Sequence, residues 1–219
     1  LRGLILMIVG IIDYGSGNIR SVFKSFERAA SLTDLNIKVK VICSADELIE
    51  LDKLVLPGQG AFADCMKGLK KIEGMETMLN KKVLQEKKDF LGICVGMQLL
   101  AGESSEHGYH EGLSWLKGKV IKMKNHGNTL KIPHMGWNSV LYKENHPLFQ
   151  NIKMYEDFYF VHSYEFFTEE KETIIAKTTY GEEIVAVIGK NNVIGTQFHP
   201  EKSQKAGIQF IKNFLEWKS

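Results

Sequence analysis

Residues Met7 to Ile12 form an unbroken apolar run closed by Asp13, the pattern of a parallel strand buried on both faces. The turn Gly15-Ser16-Gly17-Asn18 follows, and Asn18 is suited to cap a helix from Ile19 to about Ala30. In that stretch Ile19, Val22, Phe23 and Phe26 recur at three- and four-residue spacing, which gathers them on one helix face. An alternating strand comes next at Ile37 to Ile42. A short helix opened by Ser44, with Glu47 completing a capping box, then leads to a second buried strand from Lys53 to Leu56. That strand enters the loop Pro57-Gly58-Gln59-Gly60. Helices from Ala61 to about Ile72 and from Met75 to about Glu86 precede a strand at Asp89 to Ile93, with Cys94 at its end. The alternation predicts an α/β fold with a central, mostly parallel sheet flanked by helices through right-handed crossovers.

After Leu100 the pattern changes. Glu103 to Gly112 reads as a polar, glycine-containing loop. Short alternating segments follow at Lys119 to Met123, Trp137 to Leu141, Phe158 to Val161, Thr173 to Thr178, Ile184 to Ile188 and Val193 to Phe198. These predict additional strands, several of them antiparallel, before a final helix from about Gln204 to Trp217. No linker, repeat or low-complexity tract interrupts residues 7–219, which read as one domain. Residues 1–6 read as a leader or a remnant ahead of a natural start at Met7. The apolar N-terminus is too short to span a bilayer and lacks a signal-peptide cleavage pattern.

Composition narrows the class. Among 219 residues, 28 basic and 26 acidic side chains nearly cancel, so neither nucleic acid nor an anionic membrane is called for as a partner. Three well-separated cysteines without C-x-x-C spacing fit a reducing cytoplasm and suit neither a disulfide framework nor a metal site.

The candidate chemistry gathers at the carboxyl ends of the predicted strands, where ligands of parallel sheets sit. Gly92-Ile93-Cys94-Val95-Gly96 is a G-x-C-x-G turn between a strand and a helix-like stretch, able to present Cys94 in a strained conformation. A helix starting just after it would aim its N-terminus at the sulfur. Taken alone, the turn fits a buried structural cysteine as well as a nucleophile. A nucleophile needs a base and an orienter. In His199-Pro200-Glu201 the proline holds His199 extended, and residues two apart on an extended chain share a side, so Glu201 falls beside the imidazole. An oxyanion would find the N–H of Val95 and a second donor from Gly58 or Gly60. Gly15 and Gly17 begin a dinucleotide-like motif, but Arg20 stands where its third glycine belongs, so no nucleotide cofactor is implied.

These features, with I-D-Y-G-S-G-N (Ile12 to Asn18), P-G-Q-G-A-F (Pro57 to Phe62), G-I-C-V-G-M-Q-L-L (Gly92 to Leu100), P-H-M-G-W-N (Pro133 to Asn138), Y-F-V-H-S-Y (Tyr159 to Tyr164) and G-T-Q-F-H-P-E-K-S (Gly195 to Ser203), resemble the class I, triad-type glutamine amidotransferases. The resemblance runs from about Met7 to the C-terminus and implies a flavodoxin-like sheet. It implies a glutaminase with Cys94 as nucleophile, His199 and Glu201 completing the triad, and no metal or cofactor. Gln98 and Glu106 would hold the α-amino and α-carboxylate ends of L-glutamine, with Ser163 and Tyr164 along the same pocket. Within the family the chain is similar to the glutaminase subunits of histidine biosynthesis. These form heterodimers with a (β/α)8 cyclase subunit that uses the ammonia to make imidazole glycerol phosphate and aminoimidazole carboxamide ribotide. Met135 and Trp137 would then lie at the subunit interface, and the Gly58 to Gly60 loop would switch on when the partner binds. Gln59 departs from the valine expected there. Two other readings stand beside this one: a paralogue feeding ammonia to surface-sugar amidation, and a silent partner-binding scaffold, against which the intact Cys94, His199 and Glu201 weigh.

Overall fold

The computed structural model describes residues 6–124 and 130–219. Of the expected leader, residues 1–5 lie outside the described residues. In chain order the elements are β1 (Met7–Ile12), α1 (Ile19–Ala30), β2 (Ile37–Ile42), β3 (Lys53–Gly58), α2 (Phe62–Lys71), α3 (Met75–Asn80), β4 (Asp89–Cys94) and α4 (Val95–Gln98). There follow β5 (Glu103–Ser104), β6 (His110–Glu111), β7 (Lys119–Lys122), β8 (His134–Ser139), β9 (Leu141–Tyr142) and β10 (Asp157–His162). The order closes with β11 (Tyr164–Phe167), β12 (Ile174–Tyr180), β13 (Glu182–Lys190), β14 (Val193–Thr196) and α5 (Gln204–Glu216).

Eight strands make the main sheet in the order β2-β1-β3-β4-β14-β13-β12-β9. The first five are parallel and the remainder antiparallel, so the sheet changes character beside β14. Asp13, Gly58, Cys94 and the segment after Thr196 therefore emerge on one sheet edge. The buried runs of β1, β3 and β4 follow from helices covering both faces. Helices α1 and α5 pack together, with the rings of Phe26 and Phe214 edge-on at 6.4 Å. Phe158, Phe198 and Phe210 cluster beside this pair, since Phe210 stands one turn before Phe214 on α5, and each contributes about 2–3 kcal/mol by leaving water.

Several expectations change. The strand expected to stop at Leu56 continues through Pro57 and Gly58, which pair with Ile93 and Cys94. The Ser44 capping box is only half formed. Glu47 accepts from the Cys43 N–H at 3.3 Å and from Ser44 Oγ at 3.2 Å, but the helix is a 3-10 turn starting at Asp46 after Ala45. The helix from Met75 ends at Asn80 and gives way to a π-turn over Lys81–Gln85. The helix after Cys94 is a single turn because the Leu99 and Leu100 carbonyls accept from Leu113, Trp115 and Leu116. The polar segment 103–112 holds β5 and β6, which with β7 and β11 form a four-stranded sheet. The strand expected at Trp137 to Leu141 begins at His134 and breaks at Val140, and β11 was not foreseen.

Candidate active site

Cys94 closes β4 at φ 55° and ψ −111°, a conformation costing a non-glycine residue about 1–3 kcal/mol. The strain is held from below by close backbone packing. A Cβ on Gly96 would run into the Leu56 carbonyl, and one on Gly58 into the Val95–Gly96 backbone. The positive φ thus falls on the cysteine itself, and the glycines serve the close contact between the end of β3 and the start of α4. Among the described residues no side chain caps the start of α4, and with a single turn the expected macrodipole is small.

Cys94 is buried, its Sγ lying 3.9 Å from the Val161 carbonyl and 3.8 Å from Nε2 of Gln197. His199 is extended, as the following proline requires, with φ −96° and ψ 98°. Its N–H donates to the Tyr159 carbonyl at 2.9 Å, while Ser203 Oγ donates to its carbonyl at 2.6 Å. Glu201 Oε1 lies 2.8 Å from His199 Nδ1. The reason differs from the expected extended alternation. Pro200–Lys202 form one 3-10 turn, which folds the carboxylate back onto the ring. A carboxylate oxygen accepts, so Nδ1 carries the hydrogen and Nε2 is left for the cavity. Among the described residues, His199 Nε2 and Glu201 Oε2 have no hydrogen-bond partner. Burial alone would depress His199, but negative charge at Cys94 and the Glu201 carboxylate outweigh it and push its pKa up to about 10.

Cys94, Val95 and His199 line a cavity of about 310 Å³ together with Gly60, Gln98 and Glu106. Ser163 and Tyr164 complete its wall with Gln59, Val161 and His162. Gly58 is not part of that wall, since it sits within β3 against Val95. Glu106 does more than face solvent: its Oε2 accepts the first N–H of α2, from Phe62, at 2.7 Å. Gln98 Nε2 donates to the Tyr164 carbonyl at 2.9 Å and to Gln197 Oε1 at 3.1 Å, which leaves its Oε1 as an acceptor. The Gln59 peptide is tied down. Its N–H donates to Ser16 Oγ at 3.3 Å, and its carbonyl accepts from the same hydroxyl at 2.6 Å, with Cys65 Sγ 3.0 Å from that oxygen. Met135 and Trp137 lie outside the cavity on β8, 65% and 47% exposed.

Gln197, His162, Val161 and Ser16 carried no role in the sequence reading. Gln197 and His162 stand inside quoted motifs, and the two-residue alternation of β10 would have aimed His162 inward. Among the described residues no group of three or more His, Cys, Asp or Glu side chains could hold a metal ion, and no helix is long and apolar enough to cross a membrane.

The glutamine amidotransferase class-I family model matches residues 10–217. The chain belongs to the class I glutamine amidotransferases. Within this family it is 46% identical over 215 residues to the imidazole glycerol phosphate synthase subunit HisH of Brucella melitensis, covering 97% of this chain and 100% of that one. Identity is 47% over 212 residues with the HisH subunit of Rhodospirillum rubrum, covering 96% and 99%. The chain is therefore a glutamine amidotransferase of the HisH type. A solved structure titled glutamine amidotransferase superposes with a TM-score of 0.69 at 19% identity, covering 95% of this chain and 97% of that one, which shows the shared fold.

Proposed function

We propose that the chain is the glutaminase subunit of an imidazole glycerol phosphate synthase, acting in the cytoplasm within histidine biosynthesis. The observation that carries the chemistry is Cys94 on its strained elbow at one wall of a cavity that a Glu201-oriented His199 also lines. The thiolate attacks the side-chain carboxamide carbon of L-glutamine. His199 gives its Nε2 proton to the leaving nitrogen, so ammonia departs and a γ-glutamyl thioester remains. Water, losing a proton to His199, then attacks the thioester and releases glutamate. The Val95 N–H serves the oxyanion, and the second donor comes from the loop over Gly58 to Gly60.

The pocket chemistry suits a zwitterion. Gln98 offers only Oε1, and Glu106 a carboxylate, so both suit the α-ammonium, and donors around Ser163 and Tyr164 suit the α-carboxylate. This revises the expected split between Gln98 and Glu106. Because the Gln59 N–H is held by Ser16, we read the loop as resting in an off position, released when a (β/α)8 cyclase seats on Met135 and Trp137. Residues 7–219 act as one domain in this reading, supported by a sheet that joins β1 to β14. Three free cysteines fit the reducing compartment.

The test is glutamate release from glutamine by the chain alone and with a histidine-pathway cyclase plus its ribonucleotide ligand. Strong stimulation that Cys94→Ala abolishes is the expected result. Activity indifferent to the cyclase would overturn the pairing, and release that survives Cys94→Ala would overturn the mechanism.

A further inference from the structure

Strands β8 and β10 form a two-stranded ribbon with two unlike faces. Met135 and Trp137 point outward, while alternate residues His134 and Asn138 turn inward, His134 fully buried. His134 stands opposite His162 in the register, with His134 Nδ1 and His162 Nε2 3.0 Å apart. The final acceptor forces the direction of every hydrogen bond in this cluster. His162 Nδ1 lies 3.0 Å from the Tyr164 carbonyl, which can only accept, so Nδ1 carries the hydrogen. A neutral ring then has Nε2 free to accept, and His134 Nδ1 must be the donor. His134 Nε2 accepts in turn from Asn138 Nδ2 at 3.1 Å, and the second amide hydrogen goes to the Thr179 carbonyl at 2.9 Å. Burial keeps both rings neutral, depressing His134 to about 4 and His162 to about 3. The His134 ring is held between Phe160 and Tyr180, at centroid distances of 4.8 and 4.1 Å. At the other end, the second lone pair of the Tyr164 carbonyl takes Gln98 Nε2.

We propose that Asn138, His134 and His162 are positioning residues, a one-way hydrogen-bond relay by which a partner seated on Met135 and Trp137 sets Tyr164 and Gln98 at the glutamine cavity. This rests on the function proposed above. A partner that moves β8 carries the outer side chains together with His134 and Asn138, because these alternate along one backbone, and His134 passes the shift to His162 on β10. Each member spends its donors within the chain, so a displacement at Asn138 leaves a buried acceptor unpaired unless the whole series follows.

His134→Phe keeps a ring between Phe160 and Tyr180 and removes both hydrogen bonds. His134→Asn retains an amide donor close to the Nδ1 position. In the complex with the cyclase and its ribonucleotide ligand, His134→Phe is expected to raise KM for glutamine about tenfold with kcat little changed, and His134→Asn to restore most of it. Asn138→Ala tests the outer end with both buried rings left in place and should raise KM about threefold. In the free chain, ¹⁵N shifts of His162 should report an Nδ1–H tautomer. A KM unmoved in both His134→Phe and Asn138→Ala overturns the relay, as does an Nε2–H tautomer on His162. A wild type that the cyclase does not stimulate brings down the functional reading and the coupling with it. A stimulated wild type with unmoved variants brings down the relay alone.

Discussion

The two walls of the cavity are built on opposite plans. The wall from β3 and β4 is backbone: a strained cysteine wedged over glycines that leave no room for a side chain. The wall from β10 and β11, backed by β8, rests on side chains: imidazoles and amides whose hydrogen bonds run in series to Tyr164. The first plan fixes one geometry and fails by collision. The second can shift as a unit and fails by degrees, which suits a wall that answers to an outside surface.

The sharpest way to break this contrast is to add one methyl group to the backbone wall. Gly96→Ala is expected to destabilise the fold by about 3 kcal/mol or more, since the Leu56 carbonyl blocks it and neither chain can retreat. Gly60→Ala, at φ 99° with open space around the new carbon, is expected to cost only about 1 kcal/mol. Urea unfolding midpoints compare the two, and equal losses would abolish the distinction. Glu201→Gln comes next. With the carboxylate charge gone from beside His199, kcat for glutamine hydrolysis should fall about 100-fold, and the urea midpoint near pH 7 should fall as well because the buried His199 proton loses a partner. On the outer face of the other wall, Trp137→Ala should cut stimulation by the cyclase about tenfold and leave the free chain's melting temperature unchanged. Smaller still is Ser16→Ala, which frees the Gln59 N–H and should raise the free chain's glutamate release about threefold.

The catalytic imidazole and the buried pair behind Tyr164 should also answer pH with opposite signs. His199 is raised to about 10, so the stability owed to its proton is complete below about pH 6.5 and is lost as pH rises toward that value. His134 and His162 are depressed to about 4 and 3, so their neutral rings support the fold above about pH 6.5 and that support is lost as pH falls. Melts across pH 4 to 10 should therefore show two limbs. His134→Asn should flatten only the acid limb, and Glu201→Gln only the alkaline one.

Legibility divides along the same line. Strands β1, β2 and β4 and helices α1 and α5 could be read closely because apolar periodicity and an Asn18 cap are local signals. The meeting of His199 with Glu201 was legible because both lie in one tripeptide, though through a 3-10 turn in place of an extended segment. Gln197 and His162 were not, because their partners are Cys94, Gln98 and His134, each distant in the chain. Nor was the single-turn length of α4 legible: the carbonyls that would extend it are claimed by residues 113–116. Periodicity reports what a segment buries, and it is silent on which far segment competes for its hydrogen bonds.

The side-by-side placement of β4 and β14 has a consequence for how the protein is made. Cys94 leaves the ribosome 103 residues before Gln197, and the strand that seats His199 beside it has yet to be synthesised. Because long-range pairing is the slow step in such sheets, the nascent chain carries an ordinary, unassisted thiol through most of its elongation. On the proposed mechanism, hydrolytic competence is therefore conferred only at the moment of topological closure.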